Sequence, residues 1–271
     1  MQNHQTRQVV GSGFFEQIDP RLNQVDEAAV NAYVVKVFGW MFFGLLITAL
    51  STAAIIVGIN TSPAFAALVA NLIYTNAIFV VFLLQLGLVF AISARATKMN
   101  PQATKMMYFL YAAVNGLTVG LISVLFAASI GENVLFMAFG LTAASFGAMA
   151  LYGYFTGRDL TRFSSLLRFA LIGLILIIVV NWFVGSDAFS YLISIVGLFL
   201  FLGLTAADTN KIKNHFARVA LGSTDASNQA MGVTVSQDAL ASNLAIVGAL
   251  MLYLDFINIF MFILRLLGGR R

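Results

Sequence analysis

The stretch Val37–Ala94 reads VFGWMFFGLLITALSTAAIIVGINTSPAFAALVANLIYTNAIFVVFLLQLGLVFAISA, 58 consecutive residues without Asp, Glu, Lys or Arg. No soluble fold needs such a run. A chain that crosses a bilayer several times does, because a charge in hydrocarbon is expensive. The rest of the chain agrees. Of its 271 residues, 60% are hydrophobic and 10% charged, against roughly 45–50% and about 25% in soluble domains. An ordinary water-soluble globule is therefore excluded.

Cysteine is absent, which removes disulfides, thiolate metal sites and cysteine nucleophiles. His4 and His215 both lie in polar surroundings, which argues against a histidine-held zinc or haem; no tightly bound cofactor is expected. The net charge of +4 comes from basic residues set in short clusters between apolar stretches. That is a membrane-topology pattern and not one of nucleic-acid binding.

A helical span takes about 20 apolar residues. Seven runs qualify: Val34–Ile59, Tyr74–Ser93, Tyr108–Ile130, Val134–Phe155, Leu166–Val184, Ala188–Ala207 and Asn243–Leu267. None alternates with period two, so the expectation is an all-α, polytopic membrane helix bundle and not a barrel. The breaks alternate in charge. Those at Asn60–Ser62, Gly131–Asn133 and Gly185–Asp187 carry no Lys or Arg. The others carry Arg95, Lys98 and Lys105; then Arg158, Arg162 and Arg168; then Lys211, Lys213 and Arg218. The positive-inside rule places the basic breaks, and with them the amino terminus, in the cytoplasm. Arg265, Arg270 and Arg271 at the far end disagree. Seven full spans would put them outside, whereas a re-entrant last segment would bring them back.

Residues 1–33 read as a polar cytoplasmic tail that is no signal peptide, since no basic region runs directly into an apolar core near the start. Val25–Tyr33 reads as a helix lead-in. Residues 34–271 form the transmembrane domain, with a long cytoplasmic loop at 214–242 and a short helix near Phe216–Leu221 inside it. Small residues at fourfold spacing mark close helix packing. They are Gly116 and Gly120; Gly140, Ala144 and Ala148; and Gly153 and Gly157. Packing within the chain is expected there. Asn115, Asn181 and Asn258 lie deep in apolar runs and each needs a partner, most simply on a neighbouring helix.

Two carboxylates stand out. Asp255 is the only acid in a strongly apolar stretch, where insertion costs about 2.5–3.5 kcal/mol. Asp208 ends the sixth run, near a helix carboxyl end whose dipole disfavours an acid. It asks for a partner such as Arg95 or a nearby lysine. If the two acids met, they could not both ionise easily, and a shared proton would make a pH-sensitive element. Two carboxylates with backbone carbonyls could also hold Ca²⁺ weakly and transiently, short of the usual six to eight ligands. One difficulty is that Asp255 follows Asn243 by 12 residues, roughly 18 Å along a helix, whereas Asp208 sits close to the cytoplasmic face. Their meeting requires a last helix that begins below the surface or is tilted.

At these residues the chain resembles the bacterial branch of the Bax-inhibitor family. The most specific stretches are Leu252-Tyr-Leu-Asp-Phe-Ile-Asn-Ile-Phe260, Leu264-Arg-Leu-Leu-Gly268 and Gly203-Leu-Thr-Ala-Ala-Asp-Thr-Asn-Lys-Ile-Lys213. Asn115-Gly-Leu-Thr118, Tyr152-Gly-Tyr-Phe-Thr156 with Arg158-Asp-Leu160, and Ser93-Ala-Arg95 with Lys98-Met99 also match. The resemblance implies six helices around a central seventh in the bacterial inner membrane. It implies a pH-dependent Ca²⁺ leak governed by paired aspartates, here Asp208 and Asp255, with a gating arginine at Arg95. It further implies that some members restrain a membrane-anchored ATP-dependent protease, using the amino-terminal tail. Ala207 and Asn210 depart from the family pattern beside Asp208. The two readings to separate are a proton-gated cation leak and a protease modulator. In the first, protonation of the pair would release Arg95 or the opposite helix. An enzyme is not expected, since no nucleophile-with-base arrangement, metal triad or phosphate loop is present, and the Gly-x-Gly-Asp motif of an intramembrane aspartyl protease is missing.

Overall fold

Helix boundaries fall where the sequence supplies caps. In a computed structural model that describes residues 26–268 apart from 76, 96–97, 132 and 223–235, Asp26 opens α1 (Glu27–Thr61), its carboxylate accepting from the Ala28 N–H at 3.1 Å. Pro63 and Pro101 take the first positions of α2 (Pro63–Tyr74) and α4 (Pro101–Ile130), where a missing N–H costs nothing. Between them lies α3 (Ala77–Arg95). After α5 (Asn133–Phe155) comes α6 (Thr161–Val184), which ends on Gly185 at φ 67°, a left-handed conformation suited to glycine. Ser186 then caps α7 (Asp187–Lys211) by accepting from the Phe189 N–H. A π-helical turn, Ile212–Phe216, carries α7 into α8 (Ala217–Gly222), and α9 (Gln237–Gly268) completes the fold.

The chain is a helical membrane bundle. Among the described residues, six helices are long and apolar enough to cross a bilayer by length and composition. The expected second span, Tyr74–Ser93, is the one that differs. The structure ends α2 at Tyr74 and starts α3 at Ala77, and the apolar helix Phe79–Arg95 falls short of the measure the other six meet. Even so, α3 as a whole has 19 residues, about 28 Å of rise against a hydrocarbon core of about 30 Å. Within the stretch read as a loop at 214–242, the short helix expected near Phe216–Leu221 is α8, whereas the first turns of α9 are helix where a loop is expected; 223–235 lies outside the described residues. So do residues 1–25 of the tail, while 27–33 already belong to α1.

Helix α9 is the central element. In its most apolar window 67% of residues are buried, against 39% or less in the other five spans. Of the six helices expected around it, α1, α4, α5 and α7 pack closely on α9 and α3 touches it, while α8 also packs on it. Helix α6 stands outside against α7, and α3 leans chiefly on α4. Small residues set two of these contacts. A methyl on Gly116 would meet the Thr48 carbonyl oxygen at 2.7 Å, and one on Gly120 would lie 3.3 Å from the Thr52 Cα, so α1 and α4 touch backbone to backbone. Gly153 presses α5 onto the Ala206 carbonyl of α7 in the same way. The line Gly140, Ala144 and Ala148 does not pack inside; it is exposed, as is Gly157, with no neighbour near.

One end of the bundle gathers the start of α1, the α3–α4 and α5–α6 turns, α8 and the start of α9. Tyr154 Oη donates to Asn31 Oδ1 at 2.6 Å, Lys213 Nζ to the Tyr154 carbonyl at 3.2 Å and Asn243 Nδ2 to the Met99 carbonyl at 2.8 Å. Arg218 pairs with Glu27 at 3.5 Å. Arg158, Arg162, Lys211, Lys213 and Arg218 all belong to this end. Arg265 lies exposed near the other end of α9; Arg270 and Arg271 are outside the described residues.

Candidate functional site

The depth problem posed by the two aspartates disappears once α7 is followed past Lys211. It runs on through the π-helical turn and α8 as a single apolar helical stretch, Asp187–Leu221. Asp208 is thus not at a helix end but 13 residues short of one, about 20 Å inside. Its level relative to α9 is fixed by a contact. A methyl on Gly248 would sit 3.3 Å from Ile212 Cγ1 and 3.2 Å from Val37 Cγ1, so these three residues share one height. Asp208 lies four residues beyond Ile212 and Asp255 seven beyond Gly248 in the same direction. The two acids are then separated by about 4–5 Å along the bundle axis. They lie on helices packed against each other and are near enough to act on one another electrostatically.

Both are buried, Asp208 to 7% and Asp255 to 4% exposure. Oδ2 of Asp255 has no hydrogen-bond partner among the described residues. An ionised oxygen left so would carry an uncompensated desolvation cost. The cations that bear on Asp208 are Lys211, three residues along the same helix, and Arg168 of α6. Arg168 is itself held by its Nη2 donating to Ser164 Oγ at 2.7 Å. Arg95 is exposed at the carboxyl end of α3 and is not among them. No group of three or more His, Cys, Asp or Glu that could hold a metal occurs among the described residues.

Helix α9 presents its neighbours with three different faces in four residues. Asp255 meets α7. Phe256 stacks edge-on with Phe146 and Phe139 of α5, at 5.5 and 5.8 Å between centroids. Tyr253, fully buried, turns to α1 and α4. Its hydroxyl lies 2.6 Å from Thr48 Oγ1 and 2.7 Å from Asn115 Nδ2. Each hydroxyl has one proton, which fixes the order. The Asn115 amide donates to Tyr253, Tyr253 donates to Thr48, and Thr48 donates to the Ala112 carbonyl at 2.9 Å, with the Gly44 carbonyl at 3.1 Å sharing that proton. This relay ties α9, α4 and α1 together near the middle of each helix.

Asn115 thus has the inter-helix partner expected of it. Asn181 does too, donating to Ser190 Oγ at 2.7 Å across the α6–α7 turn. Asn258 does not: it donates to the Leu254 carbonyl of its own helix at 2.7 Å, which satisfies the amide without joining two helices. Two residues matter more than their sequence context suggests. Tyr253 reads as one more aromatic in an apolar run, and nothing in the one-dimensional pattern marks it. Asn210 accepts from the Leu160 N–H at 3.3 Å and donates to the Gly153 carbonyl at 3.2 Å and the Arg158 carbonyl at 3.3 Å, clamping the α5–α6 turn to α7. Its near-complete burial two residues after Asp208 is the consequence of α7 continuing. Lys211 was visible, since positions three apart on a helix are neighbours.

Comparison with known proteins agrees with this architecture. Residues 30–271 match the family model described as "Inhibitor of apoptosis-promoting Bax1". The inner membrane protein YbhL of Escherichia coli K12 is 39% identical over 247 residues, 90% of this chain and 94% of that protein. An uncharacterized protein of Borreliella burgdorferi is 35% identical over 244 residues, covering 89% of this chain and 93% of its own. An uncharacterized membrane protein of Streptococcus pyogenes is 36% identical over 186 residues, 69% of this chain and 72% of its own.

Proposed function

The chain belongs to the Bax-inhibitor family, and from that premise we propose that it is a pH-sensitive cation leak of the bacterial inner membrane, with Ca²⁺ as the permeant ion. The single observation that carries the reading is the buried carboxylate pair of α7 and α9, Asp208 and Asp255, with one oxygen of Asp255 lacking a partner among the described residues. Such a group asks for a proton or a passing cation. The absence of a third acidic or imidazole ligand among the described residues suits an ion in transit better than one in storage.

The sign follows from the neighbours. With Lys211 and Arg168 as the cations near Asp208, protonation has no Arg95 contact to release. A proton shared between the two carboxylates holds α7 against α9. When it leaves, two buried like charges repel, and the packed arrangement is weakened. The leak should therefore rise with pH. No resident cofactor takes part and no covalent chemistry is assigned; Asn115, Asn181 and Asn258 support the helices around the path. The amino terminus is placed on the cytoplasmic side, supported by the basic residues gathered at the end of the bundle where α1 begins.

The test is Ca²⁺ entry into liposomes holding the purified protein, read with an entrapped indicator across a pH series. Flux that rises with pH in the native chain and is flat in Asp255→Asn is the expected result; an unchanged profile in that variant removes the mechanism. The other reading, restraint of a membrane-anchored ATP-dependent protease through residues 1–25, has its own arm. Deleting those residues should leave the flux profile intact under the leak reading. A changed rate of proteolysis of a membrane substrate would point to the modulator.

A further inference from the structure

We infer that a slot between α1, α4, α5 and α9, in the half of the bundle away from the basic end, is a site for a single acyl chain of a bilayer lipid. The slot measures about 770 Å³, well inside the roughly 300–1,000 Å³ range of ligand pockets. Its long wall is one stripe of α1, in which Leu45, Ala49, Ala53 and Ile56 face it, and Phe139 of α5 with Phe256 of α9 close the other side. Its α1 lining extends from Leu45 to Asn60, about 22 Å by helical rise, somewhat more than one leaflet of a core about 30 Å thick.

Access is lateral. Helices α1 and α5 touch at the basic end, where Tyr154 donates to Asn31, but they pack far less closely on each other than either does on α9. Phe136, at the start of α5, is 78% exposed beside that gap. Phe139 of the lining is exposed as well, so the surrounding bilayer reaches the slot and supplies the occupant. Water is a poor alternative, because a buried water takes two to four polar partners and both threonine hydroxyls of the α1 wall are already committed. Thr48 belongs to the Asn115–Tyr253 relay, and Thr52 Oγ1 donates to the Gly116 carbonyl at 3.0 Å. No charged residue lines the slot, which removes a lodged ion. Its polar mouth, Asn60, lies at the end of α1 where a headgroup would sit.

This inference is independent of the leak. The absence of cysteine makes the test direct. In nanodiscs of palmitoyl-oleoyl phosphatidylglycerol, Ala53→Cys should react with a membrane-impermeant methanethiosulfonate at least about tenfold more slowly than Thr61→Cys at the exposed helix end, since a thiol in apolar surroundings keeps its proton. Native mass spectrometry of the protein with the same lipid should show one retained lipid, lost when Ala49→Phe and Ala53→Phe fill the slot. Equal labelling rates would mean a water-filled vestibule, and retention unaffected by filling would place the lipid elsewhere; either overturns the proposal.

Discussion

Replacing Tyr253 by Phe removes one oxygen from the centre of the bundle and leaves the ring in place. The ring's edge contacts with Tyr108 and Tyr111, at 6.1 and 5.7 Å between centroids, survive. What is lost is the middle of the relay. Thr48 keeps its carbonyl acceptors, so it loses little. Asn115 keeps no acceptor for the N–H that now points at a carbon. A buried donor left unpaired costs about 1–3 kcal/mol. Hydrogen bonds between membrane helices average only about 0.6 kcal/mol and reach about 1.7, because the unfolded chain in the membrane also finds partners. The Tyr253 site belongs near the upper end: both of its hydrogen bonds are short, the residue is fully buried, and linked bonds polarise one another. The expected loss is therefore about 1–2 kcal/mol, with a coupling energy to Asn115→Ala of about 0.6–1.7 kcal/mol in a double-mutant cycle. Reversible unfolding in mixed micelles, followed by circular dichroism, gives all four corners. A coupling energy of zero would show that Asn115 and Tyr253 do not share a bond, and the order of the relay would fall with it.

Four further outcomes follow from contacts already described. Gly153→Leu should block assembly of α5 on α7, because its side chain would enter the Ala206 carbonyl; a sharp loss of folded protein on size exclusion is expected, where Gly140→Leu on the exposed face leaves it unchanged. Asn210→Ala removes three bonds that hold the α5–α6 turn, and trypsin should then cut after Arg158 faster than in the native chain. Gly185→Ala forces a β-carbon onto φ 67° and should cost about 1 kcal/mol in the same micelle titration. Arg168→Gln, which alters the field at Asp208, should displace the pH profile of Ca²⁺ flux, whereas Arg95→Gln should leave it in place.

Much of this fold is legible in one dimension because the bilayer enforces it. A helix must satisfy its own backbone in hydrocarbon, so apolar length locates most of the elements, although α4 and α9 begin seven and six residues before the runs at Tyr108 and Asn243, and α2 is not read from it. The pair Gly116 and Gly120 read correctly as internal packing for the same reason. Burial order is not legible: Gly140, Ala144 and Ala148 show the same spacing and face outward, since spacing says that a face is smooth and not what covers it. The site was half visible. Asp255 announces itself by its cost, and Asp208 by its place among polar residues. Their shared depth could not be read, because the polar run after Asp208 looks like the end of a helix. The structure instead carries it through a π-helical turn, with Ile212 and Ala217 buried. Tyr253 could not be found at all, for its partners Thr48 and Asn115 are 205 and 138 residues away.

The central claim is that Asp208 and Asp255 act as one proton-sharing unit that controls the α7–α9 contact. Its most direct test is Ca²⁺ flux against pH in proteoliposomes of the native chain, Asp208→Asn, Asp255→Asn and the double variant. The account predicts a flux that climbs with pH in the native protein, the same flattened profile in each single variant, and no further change in the double. Single variants that keep the native pH dependence, or that shift it independently and additively, would contradict it.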